Sequence, residues 1–131
     1  MSKRSIKRVQ ALNANAATGY SVAINVSDFQ HITFAHETIA ASDHVVKLQG
    51  AIGLTAPTFS SAKAVGNGWD YIDSIDLQTG TAIDGDTGVT FAGADVRQFS
   101  ANVDGLDWIS FHVSTRTAGA LTTEVVAYSN S

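Results

Sequence analysis

The sequence predicts an all-β protein: an antiparallel β-sandwich, jelly-roll-like, with an extended N-terminal arm. Three observations carry this expectation. Apolar and polar residues alternate in several short runs, as they do in strands with one buried face. Clusters of Gly, Asp, Asn and Thr separate those runs at intervals of about ten residues, the turn spacing of sandwiches and barrels. Helical patterning is scarce. A chain of 131 residues is read as one domain, and at that length roughly two-thirds of the unfolded surface is buried, enough for a core without disulfides or metal.

The first element is defined by charge. Lys3, Arg4, Lys7 and Arg8 are half of the eight basic residues, and no acid accompanies them. The net charge is −4, so a segment at +4 precedes a body at −8. Residues 1–18 are read as a basic arm, extended or partly helical, and residues 19–131 as a single β-sandwich domain. The arm is too polar to pack as core; it can dock by charge on an acidic neighbour, a nucleic acid or a membrane, of which an acidic neighbour in the same oligomer is the economical reading and a solubilising tail the alternative. Within it, Ile6 and Val9 are placed to fill an apolar groove. Gln10 to Ala17 is Ala/Asn-rich but lacks an amphipathic stripe.

The strands are expected in the following order. Tyr20, Val22, Ile24 and Val26 fall on one face of the first. His31–Phe34, Val45–Ile52 and Val89–Phe91 are weaker, and Phe34 to Ala41 is ambiguous between strand and helix. In the run 71–77, Ile75 and Leu77 alternate with Asp76. The run 95–103 is half apolar. The strongest strand is 106–113, with Ile109, Phe111 and Val113 inward and Trp108 and His112 outward. Thr122–Tyr128 is β-branched and pairs within a sheet. Between the last two of the middle strands, Asp104-Gly105 is expected to close a two-residue hairpin of type I′.

Composition excludes several function classes. There is no cysteine, hence no disulfide, no thiol catalysis and no thiolate metal site. No run approaches the ~18 apolar residues of a membrane span, and no apolar segment follows the charged N-terminus as a signal peptide requires. A Gly-x-Ser-x-Gly elbow is absent, and Gly66-Asn67-Gly68 precedes Trp69-Asp70 rather than a Lys-Ser/Thr pair, so neither a hydrolase nucleophile nor a phosphate loop is read. No catalytic residue and no cofactor is assigned, and the protein is read as a non-enzyme. Charged residues make up 15% of the chain, against about 25% in ordinary soluble domains. A surface so poor in charge favours association, and a homo-oligomer is expected.

Four candidate sites remain. The arm residues Lys3, Arg4, Ile6, Lys7 and Arg8 form an interface; the acidic body makes nucleic acid an unfavourable target for them. Trp69, Tyr71 and Trp108 are candidates for a sugar platform or an interface anchor. Asp84 and Asp86, in Asp84-Gly85-Asp86-Thr87-Gly88, are a weak calcium candidate, because closely spaced carboxylates in a Gly-rich turn suit a hard cation. Turn chemistry accounts for the same residues. Asp70, Asp73 and Asp76 read as solvated edge acids, and His31 and His36 as polar surface.

The stretch from Trp69 to Val113 resembles the small β-sandwich structural proteins of tailed bacteriophage virions. The residues that carry this are Trp69-Asp70-Tyr71-Ile72, the Gly/Asp/Thr run from Thr79 to Val89, and Asn102-Val103-Asp104-Gly105-Leu106-Asp107-Trp108-Ile109. The resemblance covers about a third of the chain and is one of composition and turn style. It implies a capsid decoration or cement subunit with the major capsid protein or another virion protein as partner. It also implies location in the virion, assembled in the host cytoplasm, without a membrane. Two alternatives accompany it: a carbohydrate-binding or receptor-binding tail module, and a ring protein of the neck or tail completion.

Overall fold

The computed structural model describes residues 5–39 and 42–129. Lys3 and Arg4 lie outside the described residues. Among those described there are twelve strands and no helix: β1 (Ile6–Asn15), β2 (Gly19–Tyr20), β3 (Ile24–Asn25), β4 (His31–Thr38), β5 (Asp43–Ala51), β6 (Asp70–Tyr71), β7 (Ser74–Asp76), β8 (Ala82–Ile83), β9 (Val89–Ala92), β10 (Asp95–Asn102), β11 (Trp108–Arg116) and β12 (Leu121–Tyr128). Sheet A has the order β1-β12-β4-β10-β7-β8. Sheet B has the order β2-β11-β5-β6, with β3 also on β11 and β9 also on β5. Stripped of the β6–β8 excursion, β1-β12-β4-β10 belongs to one sheet and β2-β11-β5-β9 to the other. The chain changes sheet at each of the junctions β1/β2, β3/β4, β4/β5, β9/β10, β10/β11 and β11/β12. That is the order of a jelly roll.

The core forms where the inward rows of the two sheets meet. Ile32, Phe34, Phe99, Ala101, Leu121, Val125 and Ala127 come from sheet A, and Val46, Leu48, Phe91, Ile109, Phe111 and Val113 from sheet B. Ile109, Phe111 and Val113 are fully buried, as their alternation predicts. Phe34 lies against Phe99 at 5.4 Å and meets Phe111 edge-on at 5.1 Å, so aromatic contacts bridge the two sheets. The turn Asp84–Gly88 sits directly on β5. Gly88 has φ +72°, and a Cβ there would stand 2.6 Å from the Val46 carbonyl oxygen. No side chain fits that approach.

Four sequence expectations change. First, the arm is an integral strand from Ile6 onward. β1 pairs antiparallel with β12, Ile6 opposite Tyr128 and Gln10 opposite Glu124. Leu12 joins the core, and Val9 and Ala11 pack against it. Val9 therefore fills a groove of its own chain, and Gln10–Asn15 is strand rather than helix. Second, Asp104-Gly105 does not close a hairpin. β10 belongs to sheet A and β11 to sheet B, so this turn crosses the sandwich. Its geometry is not type I′, which needs positive φ at both central residues. Only Gly105 has it, at +90°, with Leu106 N–H donating to the Val103 carbonyl at 2.9 Å.

Third, the first expected strand is broken. Ser21 N–H donates to the Phe111 carbonyl and Ser21 Oγ accepts from Phe111 N–H, both at 2.9 Å. The hydroxyl takes a ladder position that a backbone carbonyl otherwise fills. Val22 is left on the surface while Ile24 and Val26 turn inward. Fourth, β7 is reversed relative to its apolar pattern. Ser74 and Asp76 face in, while Ile75 and Leu77 are exposed.

Candidate interaction surface

The reversal of β7 has an electrostatic cause. The Arg97 guanidinium on β10 reaches Asp76 Oδ2 at 2.6 Å, and Gln78 N–H donates to Asp76 Oδ1 at 2.8 Å. This hydrogen bonding, the Arg97 one first, holds the Asp76 carboxyl below the usual carboxylate range. Asp76 is thus a buried ion-pair member, not a solvated edge acid. The stabilisation is present above the ordinary carboxylate pKa and is lost as pH falls through the lowered one. Replacing Arg97 with Met leaves a buried carboxylate without its cation. Arg97→Met is expected to lower the urea midpoint clearly more than Lys63→Met, whose partner Asp70 forms a solvent-exposed pair worth little. Equal effects would contradict the assignment.

Two further acids, Asp73 and Asp84, hold turns. Asp73 Oδ1 accepts from Gly85 N–H at 2.7 Å. Asp84 Oδ1 accepts from Asp86 N–H at 2.8 Å and from Thr87 N–H at 3.4 Å. Asp84, proposed with Asp86 as a cation ligand, therefore serves the turn. No group of three or more metal-ligating side chains occurs among the described residues.

His36 is core rather than surface. Its position follows from the β4 alternation, which puts it on the Ile32/Phe34 face. Its ring is surrounded by Phe34, Phe91, Phe99 and Phe111 at 5.2–5.7 Å. Nδ1 meets Thr123 Oγ1 at 2.7 Å. Burial, with the nearby Arg97 charge adding to it, pushes the pKa down to about 3. His44 is also fully buried, and burial lowers its pKa too, while the Asn15 backbone opposes the shift.

The outer face of sheet B carries the aromatic residues. Tyr20 on β2 and His112 on β11 are register partners, and their rings stack at 4.3 Å and 5°. Tyr71 on β6 lies beside His112, ring centres 6.1 Å apart and planes at 7°, with its hydroxyl 2.9 Å from His112 Nδ1. Lys47 Nζ lies 5.0 Å from the Tyr71 ring centre. Burial and then Lys47 hold the His112 pKa below its ordinary value. Trp69 meets Tyr71 edge-on at 5.0 Å, and Phe59 at 6.5 Å.

Trp69 and Tyr71 are thus brought together, but Trp108 stands apart, its Nε1–H donating to the Gly53 carbonyl at 3.0 Å. The composition hid Tyr20 and His112 as members of the row; the cross-strand register reveals them. Tyr20 covers one face of the His112 ring, and the Tyr71 hydroxyl occupies its Nδ1 edge.

The loop 52–69 is folded onto this face. Gln49 Nε2 donates to the Phe59 carbonyl at 3.0 Å, burying Phe59. Asn67 ties the loop to itself through Thr58 N–H at 2.7 Å and the Thr58 and Ala62 carbonyls. Trp69 Nε1–H donates to the Ser61 carbonyl at 2.9 Å. Beside this loop, Gly50, Ala51, Ile52, Trp69, Ile72 and Leu106 line an open apolar groove of about 430 Å³. Gly50 is its floor: a Cβ there would stand 2.7 Å from Ile72 Cγ1 and 2.9 Å from Leu106 Cδ1. Ile52 is 74% exposed and Leu54 fully so. These aliphatic side chains are the surface feature that composition alone did not locate.

No family model matches this chain, and no curated protein matches it in sequence. Solved structures do. The SPBc2 prophage-derived protein YomS superposes with a TM-score of 0.76 at 11% identity, over 98% of this chain and 97% of that one. The PBSX exported protein XepA superposes with a TM-score of 0.75 at 15% identity, over 98% of this chain; the chain spans 39% of XepA's length. At these identities the likeness is one of fold: the chain is an all-β sandwich of the kind that YomS and XepA possess.

Proposed function

We propose that this protein is a non-enzymatic structural subunit of a phage-type virion, acting as a capsid decoration or cement protein. The observation that supports the reading most is the likeness of fold to a prophage-derived protein, over 98% of this chain and 97% of that one. The use of polar side chains agrees with it. Asp76 and His36 are paired inside the fold and Asp73 and Asp84 hold turns, while Ile52, Leu54 and Val65 stand in solvent. A protein so arranged acts through contacts.

The test is mass spectrometry of purified particles from the genome that encodes the chain. The chain is expected in every preparation, in multiple copies per particle. Its presence in the lysate and consistent absence from particles would sink the proposal. A second reading, a glycan-binding or receptor-binding tail module, draws on the adjacent Trp69 and Tyr71 rings. It expects Trp fluorescence quenching by a glycan panel, with Trp69→Ala abolishing the response.

A further inference from the structure

One end of the sandwich carries both halves of a contact. In sheet A, Ile6, Tyr128, His31 and Asn102 lie in register across β1, β12, β4 and β10. In sheet B, Asn25, Trp108 and Ala51 lie in register across β3, β11 and β5. Lys7 Nζ donates to the Asn25 carbonyl at 3.0 Å, so these two rows belong to the same end. Ile6 and Lys7, at the start of β1, therefore lie at the end that holds Ala51, Ile52 and Leu106.

The groove at this end is rimmed by acid. Asp70 lines it and pairs with Lys63 at 2.7 Å. Asp107 follows Leu106 and accepts from Gly53 N–H, with Asp104 two residues before Leu106. Asp73 follows Ile72, and Asp84 and Asp86 flank Gly85, which packs against the Ile72 backbone. Only Lys47 and Lys63 offset them in the same stretches. The segment Lys3-Arg4-Ser5-Ile6 has the complementary character, two cations beside an aliphatic residue that is 44% exposed. A surface that holds a basic–apolar donor and an acid–apolar acceptor is self-complementary under a two-fold rotation.

We propose that two copies of this chain associate through this end, the Lys3–Arg4 segment of each lying along the acid-rimmed groove of the other, with Ile52 and Leu54 at the centre. The occupant of the groove is a second copy, chosen by charge complementarity between segments of the same chain. The inference deepens the assembly reading above but needs no particle, so the two can fail separately.

The test is light scattering on the full chain at low and high salt, with two variants. Lys3→Glu/Arg4→Glu reverses the donor, and Asp86→Lys/Asp104→Lys reverses the acceptor at exposed positions. The unmodified chain is expected as a dimer at low salt that loosens at high salt, since exposed charges are screened. Each variant alone is expected to dimerise at least about tenfold more weakly. Mixing the two variants restores a dimer, an outcome that a loss of folding does not produce. A monomer at low salt overturns the proposal, as do variants that dimerise like the parent or a mixture that stays monomeric. In that last case the arm lies on its own chain or on another partner.

Discussion

Phe111→Ala is expected to lower the unfolding free energy by about 3–5 kcal/mol, the cost of truncating a buried aromatic and leaving a cavity. Phe111 is inaccessible to solvent and meets Phe34 at 5.1 Å and His36 at 5.6 Å across the sandwich. Its loss removes contacts from both sheets at once. Domains are stable by only about 5–15 kcal/mol, so the variant is expected to unfold at markedly lower urea. Chemical denaturation with the slope m compared between the two proteins measures this. A loss under about 1 kcal/mol would mean that the two sheets do not meet at this residue.

Acidification is expected to weaken the fold through His36. In the folded state its pKa is about 3; in the unfolded chain it takes its ordinary value near 6.5. Between those values the unfolded state binds more protons, so stability rises with pH across the window and falls on acidification. One such group contributes a slope of about 1.4 kcal/mol per pH unit well inside the window and nothing above it. His44 and His112, both lowered, act in the same direction. The urea midpoint is expected to be flat above pH 7 and to fall between pH ~6.5 and ~4.5. His36→Gln reduces the slope in that interval. His36→Phe, which keeps the ring, is the second variant. A slope unchanged in both would place His36 in contact with water.

What the sequence made legible was the regular strands. β11 and β12 were readable because their inward rows, Ile109, Phe111 and Val113 and then Leu121, Val125 and Ala127, keep the period-2 alternation. Where a side chain joins that ladder, as Ser21 does with Phe111, period-2 reading fails within two residues. β7 failed for another reason: the pattern of Ile75 and Leu77 is outweighed by Arg97, whose charge draws Asp76 inward. The Asp104-Gly105 turn has the right chemistry for a turn but no local signal for which sheet the next strand joins. His36 was within reach, since it shares the face of Ile32 and Phe34; reading it as polar surface put residue type before register.

The candidate surface was less legible. Trp69 and Tyr71 were found as residues but not as a row, because Tyr20 and His112 reach them only through the pairing of β2, β11, β5 and β6. The basic segment was visible, yet its continuation from Ile6 as an edge strand was not. The apolar groove depends on Gly50 lying beneath Ile72 and Leu106, a juxtaposition of three distant segments that no local pattern announces.

The central claim, a subunit that acts by docking on a virion, is tested most directly by pelleting. Particles grown from a genome lacking this gene are mixed with increasing amounts of the purified chain and sedimented. Saturable co-sedimentation at a fixed number of copies per particle, competed by unlabelled chain, is the expected result. A chain that stays in the supernatant at every concentration, while its tryptophan fluorescence responds to a glycan, would contradict it and favour a binding module.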